Sequence, residues 1–227
     1  MKKIIILALL VIATMWATAQ SFRANAYGSY VFDDSFESFY DTYDYYNGKI
    51  KGGFQYGVGL EYVVQKRYGI EVLWLHQNTT APVTFQRGVL NPVANREFDV
   101  TQDYIMLGLQ SVTPHPNGKI EGFGGLLGGI ALINVTDPET GREASTDKFA
   151  WGARLGANFW VGEKIGIKLQ AQLLSVAQAT GGGLYFGGGA GVAVSSYSTI
   201  YQFGLGGGLV FRFGQSSAPA PPPTGSY

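Results

Sequence analysis

The sequence predicts an all-β protein, an eight-stranded antiparallel transmembrane β-barrel with long extracellular loops and short periplasmic turns. Apolar side chains alternate with glycine and polar side chains in about eight segments, which is the period of a strand with two different faces. The 227 residues include 33 glycines, and only 14% are charged, against a typical value of about 25%. Beyond the N-terminus, no segment reaches the run of about 18 uncharged apolar residues that a membrane helix requires, so a membrane-embedded chain would cross as strands.

The first half of the chain predicts four strands, at residues 22–32, 53–64, 68–78 and 98–112. The large apolar side chains of each strand share one parity: Phe22, Tyr30 and Phe32; Phe54, Tyr56, Val58, Leu60, Tyr62 and Val64; Ile70, Val72 and Trp74; Ile105, Leu107 and Leu109. Polar side chains occupy the other parity: Arg23, Asn25 and Ser29; Gln55 and Glu61; Glu71; Gln102 and Gln110. This division predicts one face toward lipid and one toward a lumen.

The second half predicts four more strands, at residues 119–134, 148–161, 165–176 and 201–213. Three of them show an apolar parity: Phe149, Trp151, Leu155, Phe159 and Val161; Ile167, Leu169 and Leu173; Tyr201, Phe203, Leu205, Leu209, Phe211 and Phe213. The strand at residues 119–134 is so rich in glycine that the pattern assigns it no parity.

The connections alternate between long and short. Long loops are predicted at residues 33–48, 79–97, 136–146 and 177–198, and short turns at residues 65–67, 113–118 and 162–164. The turn at residues 113–118 ends in Asn117-Gly118, a strong hairpin signal. Long connections at one end and short ones at the other are typical of an outer-membrane barrel, as is an even number of strands.

The N-terminus predicts a secretory signal peptide over residues 1–19. Lys2 and Lys3 precede an apolar stretch at residues 4–16, and Ala17-Thr18-Ala19 forms a cleavage site, so we expect the mature chain to begin at Gln20. The sequence contains no cysteine, which excludes disulfides, thiolate metal ligands and a lipoprotein anchor.

These features together resemble the small outer-membrane barrels of the OmpA/OmpX kind. The resemblance covers residues 20–213 and implies a bacterial outer-membrane location, contact with outer-membrane lipids, and a C-terminal signal at Phe211 and Phe213 that the barrel-assembly machinery reads. In OmpA-like proteins a Pro-rich linker at this place leads to a peptidoglycan-binding domain. Here residues 214–227 are expected to form a disordered periplasmic tail, and that binding activity is not carried over.

Six charged residues fall on the lumen-facing parity and form the first candidate site: Arg23, Glu61, Glu71, Arg154, Lys168 and Arg212. Strand direction places most of them in the periplasmic half. Because an unpaired buried charge is costly, they are expected to pair inside a narrow lumen. One interpretation is a structural plug of ion pairs, and the other is a gated conduit whose charges rearrange.

The first long loop is the second candidate site. Its acidic and aromatic residues are Asp34, Phe36, Glu37, Phe39, Tyr40, Asp41, Tyr43, Asp44, Tyr45 and Tyr46. One interpretation is an extracellular recognition surface for a ligand or protein, because aromatic faces stack and carboxylates attract cations. The other is an aromatic girdle at the outer interface with solvated acids.

These patterns favour a structural or surface-interaction role: membrane integrity, adhesion or recognition through the loops. A narrow porin or conduit for small or hydrophobic solutes is the alternative, and a lipid-modifying enzyme is a distant third, because no catalytic partner accompanies His76 in the sequence. We expect no cofactor, no metal site and, at a net charge of +0, no nucleic-acid partner. A soluble lipocalin-like barrel is disfavoured because the inward parity consists mostly of glycine, glutamine and charged residues.

Overall fold

The computed structural model describes residues 21–41, 44–87, 94–176 and 200–213. This part of the chain contains ten strands: β1 (Ser21–Val31), β2 (Asp34–Asp41), β3 (Asp44–Ile50), β4 (Gly53–Val64), β5 (Tyr68–Arg87), β6 (Ala94–Pro114), β7 (Ile120–Asp137), β8 (Arg142–Trp160), β9 (Ile165–Val176) and β10 (Ile200–Phe213). Within it, no helix is long and apolar enough to cross a membrane.

Eight strands, β1 and β4–β10, form a closed antiparallel barrel. β1 pairs with β4 on one side and with β10 on the other, and each remaining strand pairs with its neighbours in sequence. The pairing of β5 with β6 completes the circle, so every barrel strand has two hydrogen-bonded neighbours. The predicted eight-stranded antiparallel barrel is confirmed.

The other two strands form a hairpin where a loop was predicted. β2 pairs with β3, and β3 then pairs with the outer part of β5, from Asp44 opposite Arg87 to Gly48 opposite Val83. The prediction of a loop over residues 33–48 was therefore wrong. Because β5 continues far beyond β4, the outer part of β5 has unpaired backbone N–H and C=O groups on this edge, and another strand can pair with them.

Two predicted loops are largely strand. β5 and β6 have 20 and 21 residues, and β7 and β8 have 18 and 19, whereas crossing lipid takes about 9–11 residues. The loop predicted at residues 79–97 belongs mostly to β5 and β6, and Pro82, interpreted as a loop signal, lies inside β5. The loop predicted at residues 136–146 shrinks to a turn at residues 138–141, where Gly141 has a φ of 67°. Both hairpins project beyond the lipid on the extracellular side.

The outer face of the barrel is an apolar belt between two aromatic girdles, with large side chains that are 36–74% exposed. The extracellular girdle contains Tyr30, Phe32, Phe54, Tyr56, Trp74, Trp151, Tyr201 and Phe203, and the periplasmic girdle contains Phe22, Tyr68, Phe159 and Phe213. A continuous apolar surface of this extent fits lipid and not water.

The structure settles the parity of the fifth barrel strand, β7. Glu121, Phe123, Leu127, Ala131 and Ile133 face the lumen and are buried. The outward parity carries glycines with no internal contact, whereas the inward glycines lie against neighbouring backbone. A Cβ on Gly128 would meet nothing within 4 Å, but one on Gly129 would lie 2.1 Å from Ile105 O.

This contrast predicts opposite outcomes for two adjacent substitutions. Gly128→Ala places a methyl group in lipid and should leave stability unchanged or raise it by up to about 1 kcal/mol. Gly129→Ala forces β7 away from β6 and should cost at least about 1–3 kcal/mol, as overpacking does. Urea unfolding of the refolded barrels in lipid vesicles measures both. Equal stability of the two variants would contradict the inward placement of Gly129.

Candidate functional site

The six charged residues predicted for the lumen lie together in its periplasmic half. Arg23 is in register with Glu61 on one side and with Arg212 on the other, and Glu61 is in register with Glu71. Every member is buried except Arg212, whose side chain is 20% exposed. Inward Glu121 of β7 completes the group.

One set of contacts spans the lumen near its periplasmic mouth. Arg23 on β1 donates two hydrogen bonds to Glu121 on β7, from Nη1 to Oε1 at 2.5 Å and from Nη2 to Oε2 at 3.0 Å. Arg23 Nη1 also lies 3.7 Å from Glu61 Oε1, and Arg212 Nη2 lies 3.8 Å from Glu121 Oε2. Asn158 Nδ2 donates to Glu121 Oε1 at 2.9 Å. A paired, bidentate arginine–carboxylate contact of this kind is the strongest form of ion pair.

A second set of contacts lies around Glu71. Its carboxylate pairs with Arg154 across the lumen and accepts hydrogen bonds from the Tyr27 hydroxyl and from Asn25 Nδ2, the latter at 2.8 Å. Arg154 also donates to Tyr27 Oη at 3.2 Å and to Gln110 Oε1 at 2.9 Å. Gln110 Nε2 in turn donates to Glu61 Oε1 at 2.5 Å, which joins the two sets.

The cations that are not fully paired lie against aromatic rings. Lys168 Nζ is 3.5 Å from Tyr27 Oη and 4.7 Å from the centroid of Phe123, and no carboxylate of the described chain lies within 4.0 Å of it. The Arg212 guanidinium carbon lies 3.6 Å over Trp160. Ring faces stabilise cations electrostatically. Together with Arg23 and Arg154, these cations outnumber the three glutamates by one.

Glu121 and Tyr27 were missed by the sequence analysis, which placed Asn25 and Gln110 on the lumen-facing parity without including them in the candidate site. Glu121 was missed because the fifth predicted strand had no assigned parity. A usable signal was present, since an ionisable residue within a membrane-spanning strand belongs on the lumen side. Applied to Glu121, this rule would have oriented the whole strand.

Above these charges the lumen becomes less polar in two steps. At mid-height glutamines bond to one another, and Leu73, Leu75 and Met106 lie among them: Gln172 Nε2 donates to Gln55 Oε1 at 2.6 Å, and Gln202 Nε2 donates to Gln102 Oε1 at 2.9 Å. Toward the extracellular end the buried inward side chains are mostly apolar: Ala81, Val83, Phe98, Val100, Ile133, Val135, Leu174 and Val176. The expectation of an interior of mostly glycine, glutamine and charge is wrong for this outer half, because the extended strands carry their own hydrophobic core.

The residues predicted for the recognition loop lie in the β2–β3 hairpin. Asp34, Phe36, Glu37, Phe39, Tyr40 and Asp41 are on β2, and Asp44, Tyr45 and Tyr46 are on β3. Asp34 Oδ2 accepts a hydrogen bond of 2.9 Å from Tyr201 N. The side chains of residues 35–48, and Tyr43 entirely, lie outside the described residues.

Ion pairs link residues at the base of this hairpin to each other and to β6. Asp33 pairs with Lys49 and accepts a hydrogen bond of 2.6 Å from Gly52 N, and both contacts hold the pKa of its carboxyl below the usual value. Lys51 Nζ lies 2.8 Å from Glu97 Oε1 and likewise lowers the pKa of that carboxyl. These pairs are exposed and contribute little stability individually.

Phe213, the predicted end of the assembly signal, is the last residue of β10 and lies opposite Phe22. Its side chain is 57% exposed on the outward parity that Phe211 shares. Recognition of this pair by the assembly machinery remains a prediction. The predicted signal peptide at residues 1–19 and the tail at residues 214–227 lie outside the described residues.

His76 has a partner that the sequence did not reveal. Its Nδ1 lies 2.8 Å from Asp103 Oδ1, although 27 residues separate them in the chain. Only the register of β5 against β6 brings them together.

Comparison with protein-family models and with curated proteins gave no match. Among solved structures, the crystal structure of Neisserial surface protein A (NspA) is similar with a TM-score of 0.55 at 10% identity, covering 86% of this chain and 100% of that one. The outer membrane protein OprG from Pseudomonas aeruginosa is similar with a TM-score of 0.53 at 15% identity, covering 88% and 98%. The likeness is one of fold, and it confirms the predicted resemblance to small outer-membrane barrels.

Removing one partner from the buried cluster should destabilise the barrel strongly. Arg154→Met leaves the Glu71 carboxylate buried without its cation and should cost about 3–5 kcal/mol. The double variant Arg154→Met/Glu71→Gln should lose less, because neither member of this ion pair is left as a charge without its partner. Lys51→Met breaks an exposed ion pair and should cost less than about 1 kcal/mol. Urea unfolding in lipid vesicles gives the values, and equal losses for Arg154→Met and Lys51→Met would contradict the buried network.

Proposed function

We propose that this outer-membrane β-barrel is a closed, non-enzymatic protein whose lumen is a structural plug and whose extracellular extension interacts with molecules at the cell surface. Outer-membrane lipids surround its apolar belt. Its extracellular partner is a ligand or protein that contacts the β2–β3 hairpin, and its assembly uses Phe211 and Phe213.

The observation that carries the closed lumen is the network of contacts across it. Arg23 reaches from β1 to Glu121 on β7, and Arg154 reaches from β8 to Glu71 on β5. An eight-stranded barrel has an interior just wide enough for side chains, so such bridges support a lumen without a continuous water path. Buried glutamines and apolar side chains occupy the lumen above them.

The extracellular extension supports the interaction role. β5–β6 and β7–β8 continue as paired strands beyond the lipid, and the β2–β3 hairpin lies against β5. Backbone pairing of β2 with β3, and of β3 with β5, restricts the conformations of the chain that carries the aromatic residues, which lowers the entropy lost on binding.

The apolar outer half of the lumen favours one second candidate, a conduit for hydrophobic solutes. Buried Leu75, Met106 and Ile133 would give such a solute apolar contacts above the charged cluster.

Single-channel recording in planar bilayers tests the closed lumen. The refolded chain should be silent or show rare, small openings. Arg23→Ala/Glu121→Ala removes both ends of a cross-lumen bridge and leaves their other partners, Glu61 and Arg212, as one charge of each sign. This variant should raise the frequency of openings by about tenfold or more. Lys51→Ala/Glu97→Ala removes an ion pair outside the barrel and should change nothing.

Steady, sizeable conductance of the native chain would overturn the closed lumen. Uptake of an apolar fluorescent solute into vesicles that are silent to ions would instead favour the hydrophobic conduit.

The interaction role predicts a separable loss of surface binding. Replacing Phe36, Phe39, Tyr40, Tyr45 and Tyr46 by serine should leave the barrel folded, because its eight strands pair without the hairpin. Bacteria that display the variant should lose most of the binding that the native chain confers on glycan and peptide arrays. Asp99→Ser/Glu143→Ser, on the outer parts of β6 and β8, is the matched control and should retain binding. Unchanged binding of the aromatic-to-serine variant would contradict the proposal.

A further inference from the structure

The outward side chains of β4–β8 form rows of residues in register, which are inclined to the membrane plane because barrel strands are tilted. One row contains Tyr56, His76, Asp103, Leu132 and Asp147. The row below it is apolar: Val58, Trp74, Ile105, Ile130 and Phe149. The row above it is polar on β5–β8: Asn78, Thr101, Asn134 and Ser145. Along β5 and β6 the change from apolar to polar side chains therefore falls at His76 and Asp103, which puts these two residues at the level of lipid headgroups in the outer leaflet.

Four side chains at this boundary form a connected group, which we name the rim cluster: Tyr56, Trp74, His76 and Asp103. Asp103 Oδ1 is contacted by His76 Nδ1 at 2.8 Å and accepts a hydrogen bond from Trp74 Nε1 at 3.1 Å. The His76 ring lies between two aromatic rings, with centroid distances of 5.1 Å to Tyr56 and 5.8 Å to Trp74. These contacts hold the four side chains in one arrangement.

Two atoms of the His76–Asp103 pair, which we call the dyad, are available to bond to another molecule. Both contacts to Asp103 use Oδ1, and the contact from His76 uses Nδ1. Asp103 Oδ2 and His76 Nε2 make no hydrogen bond to another residue of the described chain. The side chains are 24% and 16% exposed, so both are within reach of a molecule beside the barrel. Tyr56, 45% exposed, presents a ring next to them.

Two adjacent polar atoms beside an exposed ring suit a sugar. Neighbouring hydroxyl groups of a hexose can donate to Asp103 Oδ2 and bond to His76 Nε2. The C–H face of the same sugar carries partial positive charge, and the face of an aromatic ring is negative. A phosphate headgroup fits less well, because Asp103 repels it and the rim cluster contains neither lysine nor arginine.

We propose that the rim cluster binds the sugar headgroup of a glycolipid in the outer leaflet, with the acyl chains along the apolar row formed by Val58, Trp74 and Ile105. The position of the rim cluster where β5 and β6 change from apolar to polar side chains, and its outward parity, select a membrane lipid over a soluble sugar, because a lipid presents its headgroup at this level with its chains already in the belt. This site is independent of the lumen and of the β2–β3 hairpin.

Native mass spectrometry of the full chain in detergent micelles tests the site with two lipids of identical acyl chains, a monoglucosyl diacylglycerol and a phosphatidylglycerol. The native chain should retain the glucosyl lipid about tenfold more tightly, equal to about 1.4 kcal/mol. His76→Leu and Asp103→Leu should reduce this preference to within about twofold. Asp147→Leu removes an acid from the same row outside the cluster and should keep the preference.

All of these substitutions place an apolar side chain on the outward face, where it suits the belt. Folding is checked by the shift in electrophoretic migration on heating. Tyr56→Leu, which leaves the dyad in place, should also weaken retention of the glucosyl lipid and serves as a second variant if a dyad variant does not fold.

Three results would overturn the proposal. The first is no headgroup preference in the native chain, and the second is the same preference in both dyad variants. The third is displacement of the lipid by free methyl glucoside at equal concentration, which would assign the rim cluster to soluble sugars.

Discussion

The interior of a bilayer contains no water, so each backbone N–H and C=O there must find its partner within the protein. For a sheet, this requires that the first and last strands meet. Here β1 pairs with β10 as well as with β4, and no barrel strand keeps a free edge at membrane height. The requirement ends where water begins, and there the sheet opens: β5–β8 and the β2–β3 hairpin continue outward, whereas β1 and β4 end.

Closing the sheet also encloses half of its side chains. With eight strands the space is small, and it is filled from the periplasmic end outward by charges, then by glutamines mixed with apolar side chains, then mostly by apolar groups. All of the charged residues except Arg212 are buried, so their arrangement is dictated by mutual pairing. The small volume of the lumen also explains the inward glycines. At Gly129 the backbone of β6 approaches so closely that no Cβ fits, which leaves the scarce interior volume to the side chains of other strands.

The parts of this fold that the sequence predicts are those where the two faces differ strongly in chemistry. β4 and β10 alternate large apolar residues with glycine, glutamine and charge, so their extent and orientation follow directly from the pattern. β7 has glycine and aliphatic residues on both faces, which hid Glu121 from the candidate site. The outer parts of β5, β6 and β8 were interpreted as loops because polar residues and Pro82 resemble loop composition, although strands in water are polar on their outer face as well.

Other features depend on register, which no local pattern contains. The His76–Asp103 pair exists because β5 and β6 are aligned in one particular way, and a shift of two residues would separate it. The same holds for Arg23 and Glu121, which lie on strands at opposite sides of the barrel. Sequence parity could place these groups on a face, but their partners follow only from the closed geometry.

The length of the β5–β6 hairpin beyond the membrane determines which residues an antibody or a bacteriophage can contact. From Asp103 to Ala94, the strand extends for roughly 30 Å at about 3.3 Å per residue. An antibody or a phage receptor-binding protein that approaches from outside meets the outer parts of β5 and β6 first, and the rim cluster lies beneath them among the lipid headgroups. Amino-acid changes that evade such molecules are therefore accommodated on the outward face of these outer strand parts, whereas the residues at the rim and in the lumen stay under the constraints of lipid contact and close packing.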